Sequence, residues 1–258
     1  MSRREVDRES RRISKMREKR MKERRRRRRR RKLLRALLIL IMILVLLLAV
    51  FGIFLLGKSL FENTTGEEIK LPWSFGSVDI VLDAGHGGKD QGASSGDVIE
   101  KDITLEITKK TKELLEEAGY KVAMVREDDT FVELGERAEL ANRRNAKVFV
   151  SVHCNSSEVG EGEGIETFYT EQKEEADEKL AGMIQKNLID QTSARDREVK
   201  TEDYTVIVRT KMPAALVEVG FLSDSEECEL LQQEDYQEKL ANGIAAGISE
   251  YLDAQNVE

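Results

Sequence analysis

Residues 36–57, ALLILIMILVLLLAVFGIFLLG, form a run of 22 positions without a charge or a strongly hydrogen-bonding side chain. As a helix rising ~1.5 Å per residue, such a run reaches ~33 Å, enough to cross a hydrocarbon core of about 30 Å. A helix buried in a globular core keeps polar positions on one face, and this one has none. The stretch therefore reads as a transmembrane helix, and it forces the chain on either side to fold in separate surroundings. A cleavable signal peptide is the competing reading. It is disfavoured by the length of the run, by the long basic segment before it, and by the lack of a small-residue cleavage site in KSLFENTTGEE.

The charge divides at the same place. Residues 1–35 carry 20 Lys/Arg against 5 Asp/Glu, or +15, while the remainder carries 22 against 44, or −22, giving −7 overall. The run RRRRRRRRK at 24–32 abuts the apolar stretch. Read alone it suggests nucleic-acid binding; beside a span it is a positive-inside signal that also rests on anionic lipid headgroups. The expected topology is a cytoplasmic tail (1–35), a span (36–57), a polar linker (58–76) and an acidic domain (77–254) outside the cell. No nucleic-acid partner is expected. The two cysteines, Cys154 and Cys228, are too few for a disulfide framework.

Beyond the linker the chain alternates strand and helix signals. Strands are expected at 78–83, 120–126, 148–153, 165–169, 205–209 and 215–219. Helices are expected at 102–118, 134–142, 174–190, 225–231 and 236–252. Gly119 stands where the first helix needs a left-handed terminator. Short strands alternating with 10–17-residue helices argue an α/β layered domain with a largely parallel sheet.

In such sheets, sites form in the loops at the carboxyl ends of strands. The chain has two histidines, and both occupy that position: His86 in VLDAGHGGKD and His153 in FVSVHCNSS. Two imidazoles plus a carboxylate, with a fourth position open, are a common catalytic zinc set. Glu100, at the start of the first helix, is a candidate third ligand. Asp90, Asp97 and Glu106 compete with it, and spacing does not choose among them. Glu218 interrupts the apolar run ALVEVGF, so it is either functional or paired with a cation such as Arg126 or Arg209. Asp83 either orients a ligand histidine or caps its loop. Asn155 shares a face with His153 and either reaches the site or makes a turn, and Cys154 packs away from it. Arg137 is expected in a structural ion pair. Gly87 and Gly88 are expected to let backbone approach the metal or substrate.

The segments IVLDAGHGGKDQGA, IEKDITLEI, LGERAELAN, FVSVHCNSS, GIETFY and MPAALVEVGFLSD resemble, in order, the blocks of the zinc-dependent N-acetylmuramoyl-L-alanine amidase catalytic domain. The resemblance covers 78–252. It implies a six-stranded mixed sheet flanked by helices and hydrolysis of the amide between the lactyl group of N-acetylmuramic acid and L-alanine in peptidoglycan. It also implies one Zn2+ held by His86, Glu100 and His153, with Glu218 as the catalytic glutamate. Cys154 departs from the alanine usual in that block. Only 64 residues separate His153 from Glu218, so no inserted inhibitory helix is expected. The span is expected to tether the enzyme in place of wall-binding repeats. The small size and single anchor lean towards sporulation-type enzymes of Gram-positive bacteria, in a single-pass location at the cell membrane.

Overall fold

The computed structural model describes residues 76–157, 162–173 and 175–255. They all belong to one compact unit, Pro72–Glu258. The expected tail, span and nearly all of the linker lie outside the described residues. Among the described residues no helix is long and apolar enough to cross a membrane.

The elements run β1 (Ile80–Ala84), β2 (Ser94–Ser95), β3 (Val98–Ile99), α1 (Glu100–Glu117), β4 (Val122–Met124), α2 (Leu134–Arg143), β5 (Val148–Asn155) and β6 (Ile165–Tyr169). They continue with α3 (Glu175–Thr192), β7 (Asp196–Thr201), α4 (Thr205–Val208), β8 (Ala214–Phe221), α5 (Ser225–Leu231) and α6 (Glu234–Gln255). Six strands form one sheet in the order β4-β1-β5-β8-β6-β7. The sheet is parallel from β4 to β8; β6 meets β8 antiparallel and then pairs parallel with β7. It is the mixed sheet that the resemblance implies.

The strand sequences explain where the core lies. Residues of β1 and β5 are buried on both faces, the pattern of a central strand covered by helices on either side. One face packs Ile80, Leu82, Val150 and Val217 against Ile107 and Leu115 of α1, Ile184 and Leu188 of α3, and Ile244 and Ile248 of α6. The other packs Val81, Phe149 and Leu216 against Ala141 of α2 and Val206 and Ile207 of α4. Each fully buried Leu, Ile, Val or Phe contributes about 1.5–3 kcal/mol from the area it removes from water. The second face carries fewer helices, and the end of β5 and β8 is left open there.

Two expectations fail. The expected strand 205–209 is instead a short helix, α4, over Thr205–Val208, with Arg209 capping its end. The run TVIV is β-branched and apolar, but four such residues carry no decisive periodicity, and burial of Val206 and Ile207 under the sheet selects the helical turn. The sixth strand is β7, DREVKT, which lacks an apolar run because it lies at the sheet edge and alternates exposed with half-buried positions. The remaining strands and helices form near their expected places. Gly119 takes φ +93 after α1.

Candidate active site

β1 ends at Ala84 and the chain turns sharply through Gly85 and His86. His86 holds φ +60, a left-handed conformation uncommon outside glycine. Two buried arginines hold that turn. Arg137 Nη1 donates to Asp83 Oδ1 and to the Ala84 carbonyl at 2.8 and 2.9 Å, and its Nη2 donates to the His86 carbonyl at 2.7 Å. Arg126 donates to the carbonyls of Ala84, Gly85 and Lys101. The expected ion pair of Arg137 is therefore real, with Asp83 as its partner, and it also fixes the backbone that presents His86. Asp83 touches neither histidine; its second oxygen accepts from Ser151 at 2.8 Å.

His86, Glu100 and His153 come together. Glu100 Oε1 lies 3.1 Å from His86 Nε2 and 3.0 Å from His153 Nδ1. Candidate ligand atoms of the three residues all lie within 4.8 Å of one another. Glu100 is buried at the first position of α1, where the helix macrodipole favours its negative charge. Its oxygens also accept backbone N–H from Ala93 (2.7 Å) and Cys154 (3.0 Å). The hydrogen bonds and charge of the two imidazoles outweigh burial and hold the Glu100 carboxyl far below its ordinary range. A carboxylate that stays ionised, with imidazole nitrogens converging on it, suits a divalent cation, and the N/O donor set suits zinc. The geometry thus favours Glu100 over its rivals. Asp97 and Glu106 are exposed and lie outside the group. Asp90 Oδ2 lies 2.9 Å from the other nitrogen of His86, close enough for an ion pair but not in line for a hydrogen bond to Nδ1.

Glycine does serve the site, at other positions than expected. A Cβ on Gly85 would fall 2.5–2.7 Å from the His153 ring, and one on Gly92 would fall 2.4 Å from Glu100 Oε2 and 2.6 Å from His86 Cδ2. Gly87 and Gly88 instead make room for Thr130, Arg126 and Phe131 behind the loop.

Glu218 stands beside this group because β8 pairs with β5 in a register that sets Glu218 next to His153. Its Oε2 is buried and has no hydrogen-bond partner. Neither Arg126 nor Arg209 pairs with it, so the ion-pair reading is set aside. Burial pushes the Glu218 carboxyl up to about 7, despite the opposing pull of His153. All four residues line one cleft of about 480 Å³ with Leu134, Tyr204 and Leu216 on its walls.

Of its two expected roles Asn155 takes the first: it lines the cleft at the end of β5, its Oδ1 accepting from Ser156 N and its Nδ2 donating to Glu166 Oε1, and residues 156–157 form no turn. Cys154 packs into the core and, like Cys228, is a free thiol; burial raises the Cys154 thiol well above its usual range. The sequence reading gave Arg126 another role and missed Gly85, Gly92 and Glu166, which act through backbone or through contacts far apart in the chain. Only the identity of Gly85 and Gly92 as glycines hinted at them.

A family model described as N-acetylmuramoyl-L-alanine amidase matches residues 80–250. The germination-specific N-acetylmuramoyl-L-alanine amidase of Bacillus subtilis (strain 168) is 34% identical over 215 residues, which is 78% of this chain and 90% of that protein. The amidase LytC of the same organism is 36% identical over 173 residues, 67% of this chain but 35% of LytC, so the chain spans about a third of that relative's length. The crystal structure of an N-acetylmuramoyl-L-alanine amidase from Clostridium difficile 630 superposes with a TM-score of 0.68 at 36% identity, covering 69% of this chain and 98% of that one.

Proposed function

The chain belongs to the N-acetylmuramoyl-L-alanine amidase family, and from that premise we propose that it cleaves the amide between the lactyl group of N-acetylmuramic acid and L-alanine of the peptidoglycan stem peptide. His86, Glu100 and His153 would hold one Zn2+. Glu218 is the general base and then the general acid. The observation that carries this reading is the buried, partnerless Glu218 Oε2, set in register beside the His–Glu–His group in the same cleft.

Bound zinc supplies Lewis acidity, polarising a carbonyl and acidifying water. The protein's own groups do the rest. Glu218 accepts the proton of the attacking water, and a carboxyl raised to about 7 can return that proton to the departing alanine nitrogen. Oε2 suits the task because no other donor competes for it. The N–H groups of Ala93 and Cys154 keep Glu100 from swinging. Leu134, Tyr204 and Leu216 give the substrate an apolar wall.

A zinc that is only structural is the second reading. It is disfavoured because closed structural sites have four protein ligands and this group has three. The full chain incubated with purified peptidoglycan should release new L-alanine amino termini. Glu218→Gln should retain zinc and lose activity by about 10²–10⁴-fold. His153→Ala should lose the metal, read by elemental analysis. Near wild-type cleavage by Glu218→Gln would overturn the assignment.

A further inference from the structure

Glu166, on β6, lies directly opposite Glu218 across the β6–β8 ladder. It is buried at 4% exposure, which a carboxylate tolerates only when paired. Its partners are unusual in sign and number. Oε2 accepts from Arg197 Nε at 2.8 Å and also from Lys200 Nζ, both from edge strand β7, while Oε1 accepts from Asn155 on the cleft wall. The two cations draw the Glu166 carboxyl below its ordinary range against the effect of burial. One carboxylate faces two cations, so the cluster keeps a net positive charge of one in a region of the chain that totals −22. The cations remain partly open to solvent, at 26% for Arg197 and 40% for Lys200. The Arg197 guanidinium lies 4.8 Å over the ring of Phe221, which limits its swing.

The order of strands gives this cluster a direction. The His–Glu–His group lies over β1 and β5, Glu218 is on β8, and β6 and β7 follow. With the amidase reading above, on which this inference rests, the acyl carbonyl lies by the metal ligands and the leaving nitrogen by Glu218. A peptide that keeps this direction beyond that nitrogen would leave the cleft past Asn155 and run over β6 towards β7. Two strand spacings of ~4.8 Å separate β8 from β7. A long arginine or lysine side chain spans most of that gap, and one further residue of extended peptide reaches ~3.5 Å.

We propose that Arg197 and Lys200, oriented by Glu166, form a subsite for a carboxylate carried by the residue that follows L-alanine in the stem peptide. Glu166 holds Arg197 through Nε and Nη1 reaches the Glu163 carbonyl at 3.4 Å, which leaves Nη2 as the guanidinium donor for a carboxylate. Asn155 couples the cluster to the cleft wall. The subsite selects acidic stem peptides over amidated ones.

Two synthetic substrates test this with the full chain loaded with zinc. Both are N-acetylmuramoyl-L-alanyl-D-glutamate amidated at the γ-carboxyl, and one is amidated at the α-carboxyl as well, so they differ by one carboxylate. The wild type should favour the acid by about tenfold in kcat/KM, mostly through KM, the size of one charge-assisted contact that is partly exposed. In the double variant Arg197→Gln/Lys200→Gln the ratio should fall to near one, while zinc content and Tm show that the fold persists. Equal cleavage of the two substrates by the wild type overturns the subsite alone. An unchanged ratio in the double variant, or an equal loss on both substrates, shows that the two cations are structural and overturns it too. Cleavage of neither substrate overturns the amidase reading and the subsite with it.

Discussion

The residue-level design is a set of buried polar groups, most of them with partners, among which Glu218 Oε2 is left open for chemistry. Arg137 is the strongest case of the first kind: it is 2% exposed, pairs with a fully buried Asp83, and spends its other donors on the carbonyls of Val132, Ala84 and His86. Arg137→Met removes one partner and strands the other charge, so it should cost about 3–5 kcal/mol in denaturant unfolding. It should also weaken zinc binding, because the turn that presents His86 at φ +60 loses its clamp. An Arg137→Met protein with wild-type metal affinity would show that the turn holds itself. Gly92 is the second case. At φ +69, with Glu100 Oε2 and His86 Cδ2 already against the place of a Cβ, Gly92→Ala should cost about 1–3 kcal/mol and lower zinc occupancy measured at a limiting metal concentration. Intact occupancy in that variant would mean that the loop relaxes without moving either ligand.

At the scale of elements, what the sequence disclosed depends on how far apart in the chain the cause lies. β5 and β8 were legible because central strands are apolar on both faces, and a lone Glu218 inside one stands out. The two histidines were legible because both follow strands. The proposed third ligand was not legible from spacing, since four carboxylates surround the loop; the family resemblance and the convergence of both imidazoles favour Glu100. β7 was hidden because an edge strand needs no apolar run, and α4 was mistaken for a strand because a four-residue β-branched run shows no period. Glu166 was hidden because its meaning lies in a register between strands β6 and β8. The helix that follows β8 gives a direct test of such local logic. Asp224 accepts from the backbone of Glu226 and Glu227 at 3.0 and 2.9 Å and caps α5, and Glu227 in turn accepts from Phe221 N and Gly164 N at 2.6 Å each. Asp224→Ala should cost about 1 kcal/mol and lower Tm by roughly 2–4 °C. It should leave zinc content unchanged, because no ligand rests on α5; a loss of metal would show that the cap supports the site through β8.

For the whole molecule, charge and hydropathy bear on where the chemistry takes place. The +15 tail and the −22 remainder meet at a 22-residue apolar run, and moving twenty cations across a bilayer is far less favourable than retaining them on the side of synthesis beside anionic lipid. The proposed arrangement therefore keeps residues 1–35 in the cytoplasm and exposes the amidase domain to the wall. An epitope placed at residue 1 and a second at the carboxyl terminus, followed in intact protoplasts treated with an external protease, should respond oppositely. The carboxyl-terminal epitope should be lost and the amino-terminal one kept until detergent opens the membrane. Replacing the arginines at 24–31 with glutamine should weaken that asymmetry, since the proposed orientation signal is the basic cluster flanking the proposed span and not the net charge of the chain. Protection of the carboxyl-terminal epitope in intact cells would set the domain on the wrong side of the membrane for a peptidoglycan substrate, and the anchored arrangement would fall even if the isolated chemistry stood.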